Sequence, residues 1–535
     1  MTLSAKAGEA LSSKSVLSFF GRRREATIVF VGFLTVWELL AVTIFKGRFV
    51  VPAPSSVLAT AWGDGFYVSN LMRTLSEASL GWLIGNGVAI LLAALCLVFP
   101  RLEAALLSLG VMTYAVPTVA IGPILFIIQD PFSAKVTMSA LSVFFVTLIA
   151  AVAGLRSASK TSLELTSVFG GGKWDMLRRV RIRASIPALT TGLCISAPAA
   201  ILGAVIGDYF GGQNGLGVIM LQAQEQLSVS RTWAIALVTT VVSGLAYAAT
   251  AGVAKIFGAW TSVDTDNQSG VTENQGSNSG SRPLAFLGKL TLQIAIALGV
   301  WYGVVAASGL GGYFLKTPQA VWAYLFIGPQ ASSDLAVVLS SLGTTLFHAG
   351  VGWVVGSVLA IFGAILMSSS STITKAVMPM VLIARSVPLV AMTPLIALML
   401  GRGLVGITAI SALVTLVPTL VTIVDGLKKL PIAALNVVSC SGGSNFDALI
   451  RVRLFYGLPA VFTAAKISMP GAILGAVLAE WLVAGSGIGH IMAYDVVGSN
   501  FSNLWASIVA IVIVSLTLYS AVSAAEGLFR KRFAI

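Results

Sequence analysis

The chain has 535 residues, is 57% hydrophobic and only 10% charged, and carries a formal net charge of +13. With a mean hydropathy of +0.93 and so few charges, an ordinary soluble globular protein is excluded, since about a quarter of such a chain is charged. Continuous apolar runs of about 20 residues, enough to cross a core of roughly 30 Å as helices, argue for a helical polytopic membrane protein and against a period-two β-barrel.

Residues 1–26 read as a cytoplasmic N-terminal tail ending in Arg22-Arg23-Arg24, with no cleavable signal peptide. A first module covers 27–258, with six spans predicted near 27–46, 77–98, 104–129, 134–155, 187–211 and 232–257. A flexible polar linker covers 259–283, where Gly, Ser, Asn and acidic residues dominate and no core can be buried. A second module covers 284–535, with six spans near 285–307, 344–367, 374–399, 403–425, 459–483 and 505–527. About 12 transmembrane helices are therefore expected. The basic excess belongs in cytoplasmic loops by the positive-inside rule, so no nucleic-acid partner is expected. Cys96, Cys194 and Cys440 are scattered, and His348 and His490 lie far apart. Neither set has metal-ligand spacing, so no metal and no cofactor are expected.

The two modules are copies. Ile201-Leu202-Gly203-Ala204-Val205 recurs as Ile473-Leu474-Gly475-Ala476-Val477, 272 residues on. At that shift Gly170-Gly171 meets Gly442-Gly443, Asp175 meets Asp447, Pro187 meets Pro459, and Arg179-Val180-Arg181 meets Arg451-Val452-Arg453. Gly81-Trp82 and Val116-Pro117 match Gly352-Trp353 and Val387-Pro388 at a shift of 271. An even number of spans per copy gives two parallel six-helix repeats related by an axis along the membrane normal. Both termini and the linker then share one side. Arg22–Arg24, the run Arg178-Arg179-Val180-Arg181-Ile182-Arg183 and Arg530-Lys531-Arg532 mark that side as cytoplasmic.

Four arginines at the bilayer centre would cost about 10 kcal/mol or more, so 156–186 is expected outside the membrane. Residues 162–169 suit a short helix that stops at Gly170-Gly171-Gly172, and Asp175 begins another. This layout resembles the "EAA" loop of permease subunits of ATP-binding-cassette (ABC) importers. Glu164-Leu165-Thr166, Gly170 and Val180-Arg181-Ile182-Arg183 stand for its parts in the first half. Asn436-Val437-Val438, Gly442 and Val452-Arg453-Leu454-Phe455 stand for them in the second. The glycine spacing holds in both halves, whereas the first keeps only the Glu of EAA, the second keeps none, and the closing proline is Arg183 or Phe455. Ala479-Glu480 before Gly487-Ile488-Gly489, and Ala384-Arg385-Ser386-Val387-Pro388 before Thr393-Pro394, resemble the nitrate/taurine/aliphatic-sulfonate branch. In the first half Asp208 replaces the glutamate.

The resemblance implies a type I ABC importer transmembrane fold and a permease in a bacterial cytoplasmic membrane. It also implies a separate ATPase, in two copies, and an extracytoplasmic solute-binding protein that delivers a small molecule. The ATPase-coupling residues would be Glu164, Gly170, Gly171, Trp174 and Asp175, with Asn436, Gly442, Gly443, Phe446 and Asp447 as counterparts. Lipid anchoring is the alternative role for the aromatics, and orientation in the membrane is a sufficient role for the arginines. Asp208 and Glu480 are candidates for the translocation pathway or a binding-protein surface, with snorkelling as the alternative. Arg385, whose repeat partner is Tyr114, is a candidate for attracting an anion. Lys466 is expected to snorkel to the cytoplasm, and Pro117, Pro123, Pro388 and Pro394 are expected to kink their helices. Cys440-Ser441-Gly442-Gly443-Ser444 looks like an ATPase signature, but its repeat partner lacks that pattern and the chain has no phosphate-binding G-x-x-x-x-G-K-[ST] loop. The chain is therefore not expected to be an enzyme. An ion- or proton-coupled secondary transporter is the alternative from another class. It would show buried charge networks in its spans and no long repeated loop, and the sequence suggests the reverse. Within the ABC class a ferric iron or thiamine permease is the alternative. Nitrate, taurine, other sulfonates and a pyrimidine vitamin precursor are all compatible substrates.

Overall fold

A computed structural model describes residues 31–43 (apart from 33), 51–63, 66–99, 116–258, 283–309, 312–369, 389–428 and 432–533, with isolated positions at 106, 110, 373–374, 377–378 and 381. Every regular element among them is helical. The first half contains α1 (Leu34–Thr43), α2 (Pro54–Gly63), α3 (Phe66–Val98), α4 (Thr118–Ile128), α5 (Pro131–Arg156), α6 (Lys160–Val168), α7 (Ile182–Gly211), α8 (Leu216–Glu225) and α9 (Val229–Gly258). The second contains α10 (Pro283–Ala307), α11 (Pro318–Phe326), α12 (Ala331–Ser369), α13 (Leu389–Leu400), α14 (Leu404–Lys428), α15 (Ile432–Cys440), α16 (Leu454–Leu482), α17 (Ile488–Val497) and α18 (Phe501–Phe533).

Eight described helices are long and apolar enough to cross a membrane, four in each half: α3, α5, α7 and α9, then α12, α14, α16 and α18. They match the second, fourth, fifth and sixth predicted spans of each module. The other four predicted spans are represented by α1, α4, α10 and α13; all of them except 285–307 lie partly outside the described residues. Pro123 and Pro394 lie inside α4 and α13, and Pro117 caps α4; Pro388 lies outside the described residues.

Local chemistry sets several helix starts. Asp130 caps α5 by accepting from the Ser133 N–H at 3.0 Å, with Pro131 in the first turn. The same Ser133 hydrogen bonds hold the Asp130 carboxyl below its ordinary value. Thr317 caps α11 in the same way through the Ala320 N–H, again with proline next.

Within each half the central span is clasped by two others: α5 by α3 and α7, and α14 by α12 and α16. Small residues allow this approach. A Cβ on Gly352 would meet the Ser411 side chain at 2.5 Å, so α12 and α14 touch almost backbone to backbone. Some of the hydroxyls that line these crossings bond to neighbouring helices. Ser139 donates to the Ala200 carbonyl and Ser411 to the Ala472 carbonyl, each at 2.9 Å. Trp82 donates to Ser196 and Trp353 to Ser468, each at 3.0 Å. These two hydrogen bonds thus recur from one half to the other.

The halves interlock. Ala120 and Ile124 of α4 are buried in a cluster with Ile473, Val477, Ile488 and Met492 of the second half. Met392 and Leu395 of α13 are buried among Ile201, Leu216 and Met220 of the first. Between α7 and α16, Leu478, Trp481 and Leu482 pack on Ile206, Tyr209 and Phe210, with Phe210 edge-on to Trp481 at 6.2 Å. Lys466 corrects the sequence reading: instead of snorkelling it is largely buried and paired with Glu526 of α18, an opposite charge that removes the need to reach water.

Candidate functional site

The repeated loop folds as the glycine pattern requires. The Ser159 hydroxyl caps α6, accepting from the Ser162 N–H at 3.1 Å. At its far end Gly170 adopts a φ of +75°, and the Gly170 and Gly171 amides return to the Ser167 and Thr166 carbonyls at 3.0 and 2.9 Å. This is a Schellman turn. The second half repeats it after α15: Gly442 has a φ of +75°, and Gly442 and Gly443 bond to Ser439 and Val438 at 3.1 and 2.9 Å. The two glycines serve different needs. Gly170 supplies the left-handed backbone, whereas a Cβ on Gly171 would lie 2.6 Å from the Thr166 methyl and 2.8 Å from the Thr166 carbonyl.

After the turn the chain re-enters helix at Lys173–Asp175 and Asn445–Ala448, then passes through a π-helical turn at Met176–Arg181 and Leu449–Arg453. The arginines therefore lie on the wide entry turn of the fifth span rather than in an irregular loop, and helix continues unbroken past Pro187 and Pro459. The sequence reading began these spans at the prolines, about ten residues late. Asp175 pairs with Arg179 at 3.2 Å and Asp447 approaches Arg451 at 3.9 Å, both exposed. Hydrogen bonds from the Ser444 hydroxyl and amide hold the Asp447 carboxyl below its ordinary value.

The surface of this element is unusual for its apolar content. Leu165, Val168, Phe169 and Trp174 are 58%, 80%, 82% and 71% exposed, and Val437 of α15 is 65% exposed. Glu164 and Asn436 are also exposed, nearly two turns before the glycines. Thus Glu164, Gly170, Gly171, Trp174 and Asp175 form one contiguous element. The backbone of Asn436, Gly442, Gly443, Phe446 and Asp447 forms its counterpart.

Asp208 and Glu480 lie elsewhere, at the opposite ends of α7 and α16, about 45 Å away along helices of about 30 residues. Both are buried. Asp208 accepts from the Thr74 hydroxyl at 2.8 Å and the Gly217 N–H at 3.2 Å, and pairs with Lys135 at 2.6 Å. Glu480 accepts from Thr345 at 2.7 Å and the Gly489 N–H at 3.0 Å, and contacts His348 Nδ1 at 2.8 Å. Each carboxylate therefore caps the short helix that follows it, α8 or α17, and a side chain on Gly215 or Gly487 would collide with it. That is the physical content of an acidic residue followed by G-x-G.

Sequence reading missed the partners. Lys135 also binds Glu77 at 3.2 Å and the Asn214 carbonyl at 2.7 Å, so a buried charge network does exist in the spans, contrary to the sequence expectation. It fastens α3, α5 and α7 to the glycine turn. The signal that finds it is the 271-residue shift, which aligns Thr74 with Thr345 and Glu77 with His348. Arg385 lies outside the described residues.

A family model described as "Binding-protein-dependent transport system inner membrane component" matches residues 85–262 and again residues 352–535. A probable ABC transporter permease protein of Haemophilus influenzae is 27% identical over 231 residues, 43% of this chain and 92% of the relative. The formylaminopyrimidine transport permease protein ThiX of Halalkalibacterium halodurans is 26% identical over 44% of this chain and 95% of its own length. The taurine transport system permease protein TauC of Escherichia coli is 25% identical over 37% and 73%. Each relative is similar to less than half of this chain while most of its own length is covered.

Proposed function

The chain belongs to the family of inner membrane components of binding-protein-dependent transport systems, and from that premise we propose how its two halves work. It is an ABC importer permease of the branch that contains the taurine and sulfonate permeases. Its halves do within one chain what two separate permease subunits do elsewhere, and they enclose one translocation pathway for a small solute. An extracytoplasmic binding protein presents the solute, and two ATPase subunits on the opposite side drive the cycle. The N- and C-termini and the 259–283 linker lie on the ATPase side, in the cytoplasm. Relatives named for formylaminopyrimidine, riboflavin, aliphatic sulfonates and taurine favour a polar organic solute.

The observation that carries this reading is the twofold recurrence of a capped short helix, a Schellman turn and a π-helical entry into the fifth span. Each short helix packs on the helical re-entry that follows it, α6 on the π turn and α15 on Asn445–Ala448, so a protein seated on it can move the fifth span as a rigid lever. Asp208 and Glu480, at the far end of those levers, hold α8 and α17 in register with them. We assign them a positioning role in the pathway rather than contact with solute.

A photo-crosslinking residue placed at Leu165 or Val437, both exposed, tests the docking surface. Capture of an ATPase subunit from both positions is expected. Capture from neither, with the protein correctly inserted, contradicts the proposal.

A further inference from the structure

The two coupling elements share a backbone but not a surface. At the 272-residue shift, Glu164 becomes Asn436, Leu165 becomes Val437, Val168 becomes Cys440 and Phe169 becomes Ser441. At its glycine end the first element exposes Leu165, Val168 and Phe169, where the second has Val437, Cys440 and Ser441. The contrast is confined to these positions: elsewhere on the helix Ile432, Ala433 and Val438 stand where the first has Lys160, Thr161 and Thr166. Trp174 and Phe446 are both aromatic, so that position does not distinguish the halves.

Lipid is a poor occupant for the first patch. Lys160 and Glu164 on α6, and Arg178 and Arg179 on the π turn, are all exposed beside it, and seating the patch in hydrocarbon would take a charged neighbour with it at about 2.5–3.5 kcal/mol each. A protein recess with an apolar floor and a polar rim fits better. Large, exposed aromatic residues ringed by polar groups are the usual anchors of such interfaces. Phe169 has that arrangement on the first element, with Leu165 and Val168 as apolar contacts beside it; Ser441 replaces the aromatic residue on the second and Cys440 replaces Val168.

On the reading that these elements seat ATPase subunits, we infer that the two seats are unequal. The first half, through Phe169 and Val168, holds its ATPase tightly, and the second half holds its subunit weakly. On dilution the assembly then loses its second-half ATPase first and regains it last, and an apolar pocket for Phe169 is the feature to seek on the ATPase.

The test uses the full chain co-expressed with an ABC ATPase that supports its transport, purified in detergent, diluted in steps and weighed by native mass spectrometry. The expected result is a species with one ATPase, whose remaining subunit crosslinks to a probe at Leu165 and not to one at Val437. Phe169→Ser should weaken retention of that subunit by about tenfold. Ser441→Phe should strengthen the second seat by a similar factor; both substitutions are safe for the fold, because each residue already occupies the equivalent turn in the other half. Simultaneous loss of both subunits, or a lone subunit crosslinking equally to both probes, overturns the inequality and leaves the docking reading intact. A wild-type chain that retains no ATPase under any condition overturns the docking reading as well. A bimane probe at Phe169 quenched by brominated lipid in the ATPase-bound assembly would show lipid as the occupant and overturn the inference.

Discussion

At the residue scale, the two glycines of each turn differ in ways that substitution should reveal. Gly170→Ala meets open space but must adopt a φ of +75°, a cost of about 1 kcal/mol. Gly171→Ala meets the Thr166 carbonyl at 2.8 Å, so the turn must open and α6 must tilt. Uptake should fall more steeply for Gly171→Ala than for Gly170→Ala, by about tenfold for each 1.4 kcal/mol of lost docking, at equal amounts of chain in the membrane. The carboxylates make a second pair. Asp208→Ala leaves Lys135 with Glu77 and the Asn214 carbonyl but strands the buried Thr74 hydroxyl and Gly217 amide, a cost of about 1–3 kcal/mol for each buried polar group left unsatisfied. A clear fall in the melting temperature of the purified chain is expected, and an unchanged melt would show that these groups find other partners. The glycines and both carboxylates were legible in the sequence through the repeat. Thr74 and Thr345 are marked only by their alignment at the 271-residue shift, and Lys135 is not marked at all, because a lysine there reads as a boundary residue.

Among elements, the long apolar helices were legible from hydropathy, and the short ones were not. The ten-residue helices α8 and α17 fall below the length that an apolar window detects, yet they carry the G-x-G turn and the caps that bind the fifth spans. Their attachment predicts a local effect. Gly215→Ala would drive a methyl group into Asp208, release the Gly217 amide and loosen α8. Amide hydrogen exchange should accelerate in α8 while α17 stays protected; equal protection of both would contradict the capping role. The starts of α7 and α16 were misplaced for a physical reason. Proline normally opens a helix or ends one, but here a π turn precedes Pro187 and Pro459 and helix continues through them. The arginines therefore ride on the lever that the ATPase is proposed to move.

For the whole molecule, the parallel duplication was legible as a fixed shift of 271 or 272 residues, whereas the interlocking of the halves was not. Burial of Ala120 and Ile124 in the second half, and of Met392 and Leu395 in the first, depends on long-range packing that periodicity does not encode. This interlock predicts that the 259–283 linker is dispensable for assembly. Chains cut within it and co-expressed should co-purify and restore uptake, and failure to associate would mean that the linker does more than tether. The central claim concerns what drives transport. The most direct measurement is uptake into proteoliposomes holding this chain and its ATPase, using the radiolabelled solute that the partner binding protein retains. The account predicts accumulation only when ATP and the binding protein are both supplied, and its loss with Gly171→Ala combined with Gly443→Ala. Accumulation driven by an ion gradient, with no ATPase present, would contradict it.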